Sequence, residues 1–192
     1  MSTFIKVQRI GTSRINNIDF SNLSFGAHFS DHVFITDYKN GSWENFRIEP
    51  FAPISLSPSA MALHYGQAIF EGMKATKTAE GKPFLFRPAE HAKRINRSAD
   101  RMCMPVLPES IFLDALQALI HLDQEWIPST QGSSLYVRPF MFATDPFLGV
   151  RPANEYTFMI ITCPVGPYYT NPVKLLAETT YVRAVKGGTG EA

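Results

Sequence analysis

The 192 residues suffice for one large domain, or for one domain and the start of another. With 45% hydrophobic and 18% charged residues, and 15 Phe and 7 Tyr among them, the chain has material for a sizeable core and is not a disordered one. A net charge of +1 gives no reason to expect nucleic acid or a membrane surface as partner, so any basic site must be local.

Residues 1–24 lack the apolar centre of a secretory signal and read as a leader carrying a short strand, a transit peptide being the other reading. Val33 to Tyr38 reads as a strand, Lys39-Asn40-Gly41-Ser42 as a turn and Phe46 to Glu49 as the return strand. Asn-Gly between apolar runs is a strong hairpin signal, because both residues tolerate positive φ. Pro50, Pro53 and Pro58 keep the next stretch extended and irregular. Leu63-His64-Tyr65-Gly66 ends in a glycine suited to a sharp bend. A second hairpin is expected from Ile69–Thr78 and Phe84–Arg87, joined by Ala79-Glu80-Gly81-Lys82.

Pro88 begins a helix that runs to about Met104. Ala92, Ile95, Ala99, Met102 and Cys103 share its apolar side, and Arg87, Glu90, Arg94, Arg97 and Arg101 the other. Pro105 and Pro108 separate it from a second helix, whose buried face is Ile111, Phe112, Ala115, Leu116, Leu119, Ile120 and Trp126. From Ser133 the period changes to two. Leu135, Val137 and Met141 alternate with Tyr136, Arg138, Phe140 and Phe142, so the latter share one face of a strand. After a loop over 145–154, Tyr156 to Cys163 reads as a strand buried on both faces. Pro164 to Pro172 reads as a linker, and Val173 to Ala177 as a further strand. Cys103 and Cys163 have no zinc or CxxC spacing and read as buried thiols in a reducing compartment. No run of about 18 apolar residues occurs, and a cytoplasmic protein without a membrane span is expected.

Arg138, on a strand face otherwise lined by Tyr136, Phe140 and Phe142, is an expensive placement unless it meets an anion. Either it faces a small molecule with an apolar body and a carboxylate, or it pairs with a structural carboxylate. Arg94, Arg97 and Arg101 form either a phosphate-binding stripe or a solvated basic face. Arg183, before Gly187-Gly188-Thr189-Gly190, is a second phosphate candidate, with glycine amides as an anion nest; the loop matches neither a P-loop nor a dinucleotide fingerprint. Lys74 and Lys186 are Schiff-base candidates or simply solvated lysines. The five histidines show no metal-binding spacing.

Taken together, Leu63-His64-Tyr65, Phe70-Glu71-Gly72-Met73-Lys74-Ala75, Leu85-Phe86-Arg87-Pro88, Arg94, Ser134-Leu135-Tyr136-Val137-Arg138-Pro139, Leu148-Gly149-Val150, Cys163-Pro164-Val165-Gly166 and Val182-Arg183-Ala184 resemble the branched-chain aminotransferases from about Phe25 to Ala192. The resemblance implies an α+β, two-domain, fold-type IV pyridoxal-phosphate enzyme, and a homodimer. This chain would then supply the leader (1–24), the smaller domain (25–165), the linker (166–172) and the start of the larger, cofactor-binding domain (173–192). It implies that Arg94 and Arg183 hold the phosphate of pyridoxal phosphate. Phe25, Tyr65, Phe70, Tyr136, Arg138, Val150 and Tyr168 would form the substrate pocket, with Tyr65 and Val150 reaching the partner subunit's site. The implied reaction is reversible transamination between leucine, isoleucine or valine and 2-oxoglutarate through an aldimine, with Arg138 as the cation for the glutamate side chain.

In the family a lysine follows the glycine loop after two residues, and here Gly190-Glu191-Ala192 comes last. The Schiff-base lysine is therefore expected immediately after Ala192, the chain being either truncated or interrupted at a cofactor-modified lysine, of which the second is favoured. The rivals are another fold-type IV enzyme (a D-amino acid aminotransferase or an aminodeoxychorismate lyase) and a non-catalytic module. Tyr136-Val137-Arg138-Pro139 argues against the first, and the second is the literal reading of a chain without that lysine.

Overall fold

The computed structural model describes residues 4–169, 171–190 and 192. The first three residues of the leader, Thr170 of the linker and Glu191 after the glycine loop lie outside the described residues. In chain order the elements are β1 (Lys6–Val7), β2 (His32–Lys39), β3 (Ser42–Pro50), α1 (Met61–Tyr65), β4 (Ala68–Phe70), β5 (Met73–Lys77), β6 (Pro83–Leu85), α2 (Pro88–Arg101), α3 (Glu109–Leu122), β7 (Ser134–Ala143) and β8 (Tyr156–Val165). The strands form an 8-stranded sheet in the order β1-β3-β2-β8-β7-β5-β6, with β4 lying on β7 beyond the end of β5. Among the described residues only β1 pairs in parallel, on β3; the other pairings are antiparallel. The architecture is the α+β one expected.

The first hairpin forms where Asn40-Gly41 places it, with φ of 51° and 82° at the two turn residues. The return strand starts earlier than expected, at Ser42, because the turn is only two residues long. Gly66 makes its bend at φ 64°, but as the left-handed cap of a short helix, α1, which the sequence pattern does not announce.

The expected strand Ile69–Thr78 is split into β4 and β5. Both pair with β7, and the register is the same on either side of the break. The cause is Pro139. Its carbonyl accepts from the Glu71 N–H at 2.8 Å, but it has no N–H to return, so one rung of the ladder is missing.

α2 is shorter than expected. It stops at Arg101 in a Schellman motif: Cys103 takes φ 54°, its N–H bonds to Asp100 O, and Met104 N–H reaches back to Ala99 O. Cys103 thereby leaves the apolar face and is exposed, so only Cys163 is the buried thiol expected. Residues 173–177 are exposed coil rather than a strand, and pair with no strand among the described residues.

α2 and α3 cover one face of the sheet. Ala92, Ile95 and Ala99 of α2 and Phe112, Leu116 and Leu119 of α3 join Ile69, Met73, Leu135, Val137, Phe158 and Ile160 in one core. Each large side chain so buried contributes about 1.5–3 kcal/mol. On the other face a smaller cluster, Val33, Ile35, Phe142 and Met159, leaves room for polar and aromatic side chains. None of the described helices is long and apolar enough to cross a membrane.

The leader is pinned through a buried carboxylate. Asp31 accepts from Ser13 Oγ (2.5 Å), Arg14 N (2.9 Å) and Trp126 Nε1 (3.0 Å). Beside it, His32 donates from Nδ1 to Asp123 Oδ1 at 2.6 Å and accepts from Ile10 N–H through Nε2. Burial works to raise the Asp31 carboxyl, but the donors from Ser13, Arg14 and Trp126 outweigh it and hold its pKa below the ordinary aspartate value. A depressed folded-state pKa gives stability that is complete above the unfolded aspartate value and is lost as pH falls through the folded one. Asp31→Asn is expected to cost about 2–4 kcal/mol at pH 7 in urea unfolding, and the gap to the native protein should close below about pH 4. A gap that stays constant with pH would contradict this role.

Candidate functional site

Strand alternation puts Tyr136, Arg138, Phe140 and Phe142 of β7 on the face away from the helices. Arg138 is only partly buried. Its Nη2 donates to Tyr136 Oη at 2.8 Å, and its guanidinium carbon lies 4.2 Å from the Phe70 ring centre and 5.3 Å from that of Tyr136. Stacking of this kind contributes about 0.5–2 kcal/mol and fixes the plane of the fork. Its Nε is buried without a partner, and no carboxylate among the described residues pairs with it. The alternative of a structural ion pair thus finds no acid here. Phe25 extends the aromatic wall, with ring centres 5.0 Å from Tyr136 and 5.6 Å from Tyr168. The wall is open: Phe25 is 50%, Phe70 63% and Tyr168 69% exposed.

Gly72 explains how Tyr136 fits. A Cβ built there would lie 2.3 Å from Tyr136 Oη, so the phenol occupies the space a side chain would take. Tyr65 and Val150 lie in a separate patch. Tyr65 Oη donates to the Leu148 carbonyl, and Val150 is 91% exposed. No hydrogen bond or ring contact among the described residues joins this patch to Arg138 and its neighbours.

Behind the wall, on the helix side, stands an ion cluster that the sequence pattern does not announce. Glu71 is 6% exposed and accepts from Arg94 Nε at 2.5 Å, Arg94 Nη2 at 2.7 Å and His91 Nδ1 at 2.7 Å. An ionised carboxylate only accepts, so His91 carries its hydrogen on Nδ1. Burial works to raise the Glu71 carboxyl, but the hydrogen bonds from Arg94 and His91 and the Arg94 charge outweigh it and lower its pKa. A signal was available: Ile69, Glu71, Met73 and Ala75 share the core-facing positions of one strand line, and an acid there needs a cation.

Two of the five Arg94 N–H groups thus point at Glu71, while the side chain remains 54% exposed and Nη1 makes no hydrogen bond to the described residues. That free edge fits an anion such as a phosphate. Arg97 is exposed. Arg101 donates instead to the carbonyls of Gly187 and Gly188. In that loop the Gly188 amide bonds to Val185 O, and Gly190 lies too close to Ala184 for a Cβ. The Gly188 amide is therefore spent on the turn rather than open to an anion. Arg183 is exposed, and no hydrogen bond or ion pair among the described residues joins it to Arg94. Lys74 and Lys186 are both exposed.

Comparison with known proteins gives a consistent picture. The chain is 50% identical to branched-chain-amino-acid transaminase 1 of Bacillus subtilis over 179 residues, 91% of this chain and 50% of that protein. It is 44% identical to the branched-chain-amino-acid aminotransferase of Mycolicibacterium smegmatis over 186 residues, 94% of this chain and 50% of that one. It spans about half the length of the curated relatives it matches. Among solved structures, the Escherichia coli branched-chain amino acid aminotransferase aligns with TM-score 0.52 and 25% identity, covering 71% of this chain and 41% of its own. The branched-chain aminotransferase of Thermoproteus uzoniensis aligns with TM-score 0.57 over 82% of this chain and 52% of its own; at 19% identity it shows the fold alone. No family model matches the chain.

The Gly72–Tyr136 contact can be tested directly. Gly72→Ala is expected to push the Tyr136 phenol off Arg138 and to lower stability by about 1–3 kcal/mol in urea unfolding. Unchanged stability with Tyr136 unmoved in a crystal structure of the variant would contradict the close fit.

Proposed function

The chain belongs by sequence to the branched-chain-amino-acid aminotransferase family, about half of whose members' length it spans, and on that premise we propose that the full-length protein reversibly transfers the amino group between leucine, isoleucine or valine and 2-oxoglutarate with pyridoxal phosphate. The observation that carries the proposal is Arg138, a guanidinium set among aromatic rings whose buried Nε has no partner, and which pairs with no carboxylate, among the described residues. Such a site takes two kinds of side chain. Aliphatic ones lie against Phe25, Phe70, Tyr136 and Tyr168, removing apolar area from water. The side-chain carboxylate of glutamate or 2-oxoglutarate meets Arg138, whose fork suits a planar carboxylate.

Bound pyridoxal phosphate supplies the carbonyl that takes up the amino group and the ring that stabilises charge at Cα. The chain's own contribution at that end would be anion binding: Arg94 would offer Nη1 to the phosphate, and Arg183 would be the second contact. The lysine expected to move the proton lies outside these residues. We place the exposed Tyr65–Val150 patch against a second copy of the chain, where it would complete that copy's pocket.

Full-length protein with pyridoxal phosphate is expected to absorb in the visible and to lose that band on addition of glutamate; a protein that binds no chromophore would end the proposal. Arg138→Met should lower kcat/KM for glutamate and 2-oxoglutarate by roughly 100-fold or more, the scale for losing a buried charge-assisted pair. Leucine turnover should change by less than about tenfold. Equal losses on both substrates would remove Arg138 from its role.

A further inference from the structure

We propose that Glu71 is the positioning residue of the phosphate site: by taking Arg94 Nε and Nη2, and being itself steadied by His91, it fixes which edge of the Arg94 fork faces a phosphate monoester. This inference rests on the reading of Arg94 as the phosphate ligand given above.

The geometry is that of a rigid support behind a mobile ligand. Arg94 projects from α2 with its side chain 54% exposed, whereas Glu71 is anchored in the sheet and 6% exposed. A long exposed arginine samples many rotamers, and each must be given up when it binds. The two parallel contacts at 2.5 and 2.7 Å hold the guanidinium in one plane before any ligand arrives. His91, one turn before Arg94 on α2, donates to Glu71 Oε2 at 2.7 Å and keeps the carboxylate from turning away. Glu71 itself is held at its backbone, where its N–H bonds to Pro139 O in β7. The chain is thus continuous from the phosphate end to the strand carrying Arg138. Phe70 faces Arg138 on one side of the sheet and Glu71 faces Arg94 on the other, in adjacent residues.

Charge and orientation pull in opposite directions here, which makes the sign of the effect diagnostic. A carboxylate beside an anion site repels the anion, so if Coulomb energy alone mattered, removing Glu71 would tighten phosphate binding. The buried, triply hydrogen-bonded carboxylate indicates that orientation wins. Groups that orient metal-ligating side chains in this way are typically worth about 10–100-fold in affinity, and that scale is carried over to the phosphate here.

The test compares pyridoxal phosphate with unphosphorylated pyridoxal, by absorbance titration of the full-length protein, so that the phosphate contribution is the ratio of two dissociation constants. Glu71→Gln should reduce that ratio by about tenfold while leaving pyridoxal binding within about twofold. Added to Arg94→Gln it should cause no further loss, because the support has nothing left to hold. An unchanged or increased preference for the phosphate in folded Glu71→Gln overturns the proposal. If Arg94→Gln itself leaves the preference intact, the reading of Arg94 as phosphate ligand is what has failed, and the proposal with it. Should Glu71→Gln not fold, His91→Asn removes one of the three donors from the surface of α2. A reduced phosphate preference then supports the positioning role, and an unaltered one overturns it.

Discussion

The site depends on β7 being held along both edges. On one side it pairs with β8 from Ser134 to Ala143, and on the other with β5 and β4. A strand fixed in this way cannot slip by one residue, since that would turn Leu135, Val137 and Met141 out of the core and bring Arg138 in. The apolar contacts of α2 and α3 thus guarantee, from the opposite face, where Tyr136 and Arg138 point. Pro139 then supplies the one irregularity, the missing rung that separates β4 from β5. Phe70, Glu71 and Gly72 sit at that gap, and each serves a different neighbour: Arg138, Arg94 and Tyr136.

This arrangement divides the labour between the two faces of a sheet. Toward the helices, a buried carboxylate organises an arginine suited to phosphate. Away from them, aromatic rings surround an arginine suited to a carboxylate. The two cations do not compete for one anion, because the first is already paired with an acid and the second is not. For the proposed function, which requires room for both aliphatic and acidic side chains, the second feature is the demanding one. An unpaired, half-buried guanidinium is tolerable only while its stacking partners and Tyr136 Oη satisfy part of it.

Much of this was legible in the sequence because its signals are local. Asn40-Gly41 announces its hairpin, Pro88 and the apolar spacing announce α2, and period-two alternation places Tyr136 and Arg138 on one face. What escaped is long-range. Nothing near Glu71 says that its partners are His91 and Arg94, some twenty residues on and across the sheet–helix boundary. The Asp31, His32, Asp123 and Trp126 network joins the leader to the end of α3, and no periodicity encodes it. Cys103 departs from the expected apolar face because a helical pattern does not reveal where a Schellman turn rotates the next residue outward. Residues 173–177 have strand composition, but a strand needs a partner edge, and none is present among the described residues.

The most direct measurement is a crystal structure of the full-length protein with a glutamate-derived ligand bound. The side-chain carboxylate should lie within hydrogen-bonding distance of the Arg138 guanidinium, with the aliphatic stem against Phe70 and Tyr136. A carboxylate held elsewhere, with Arg138 still lacking an anion, would contradict the proposed basis of dual specificity.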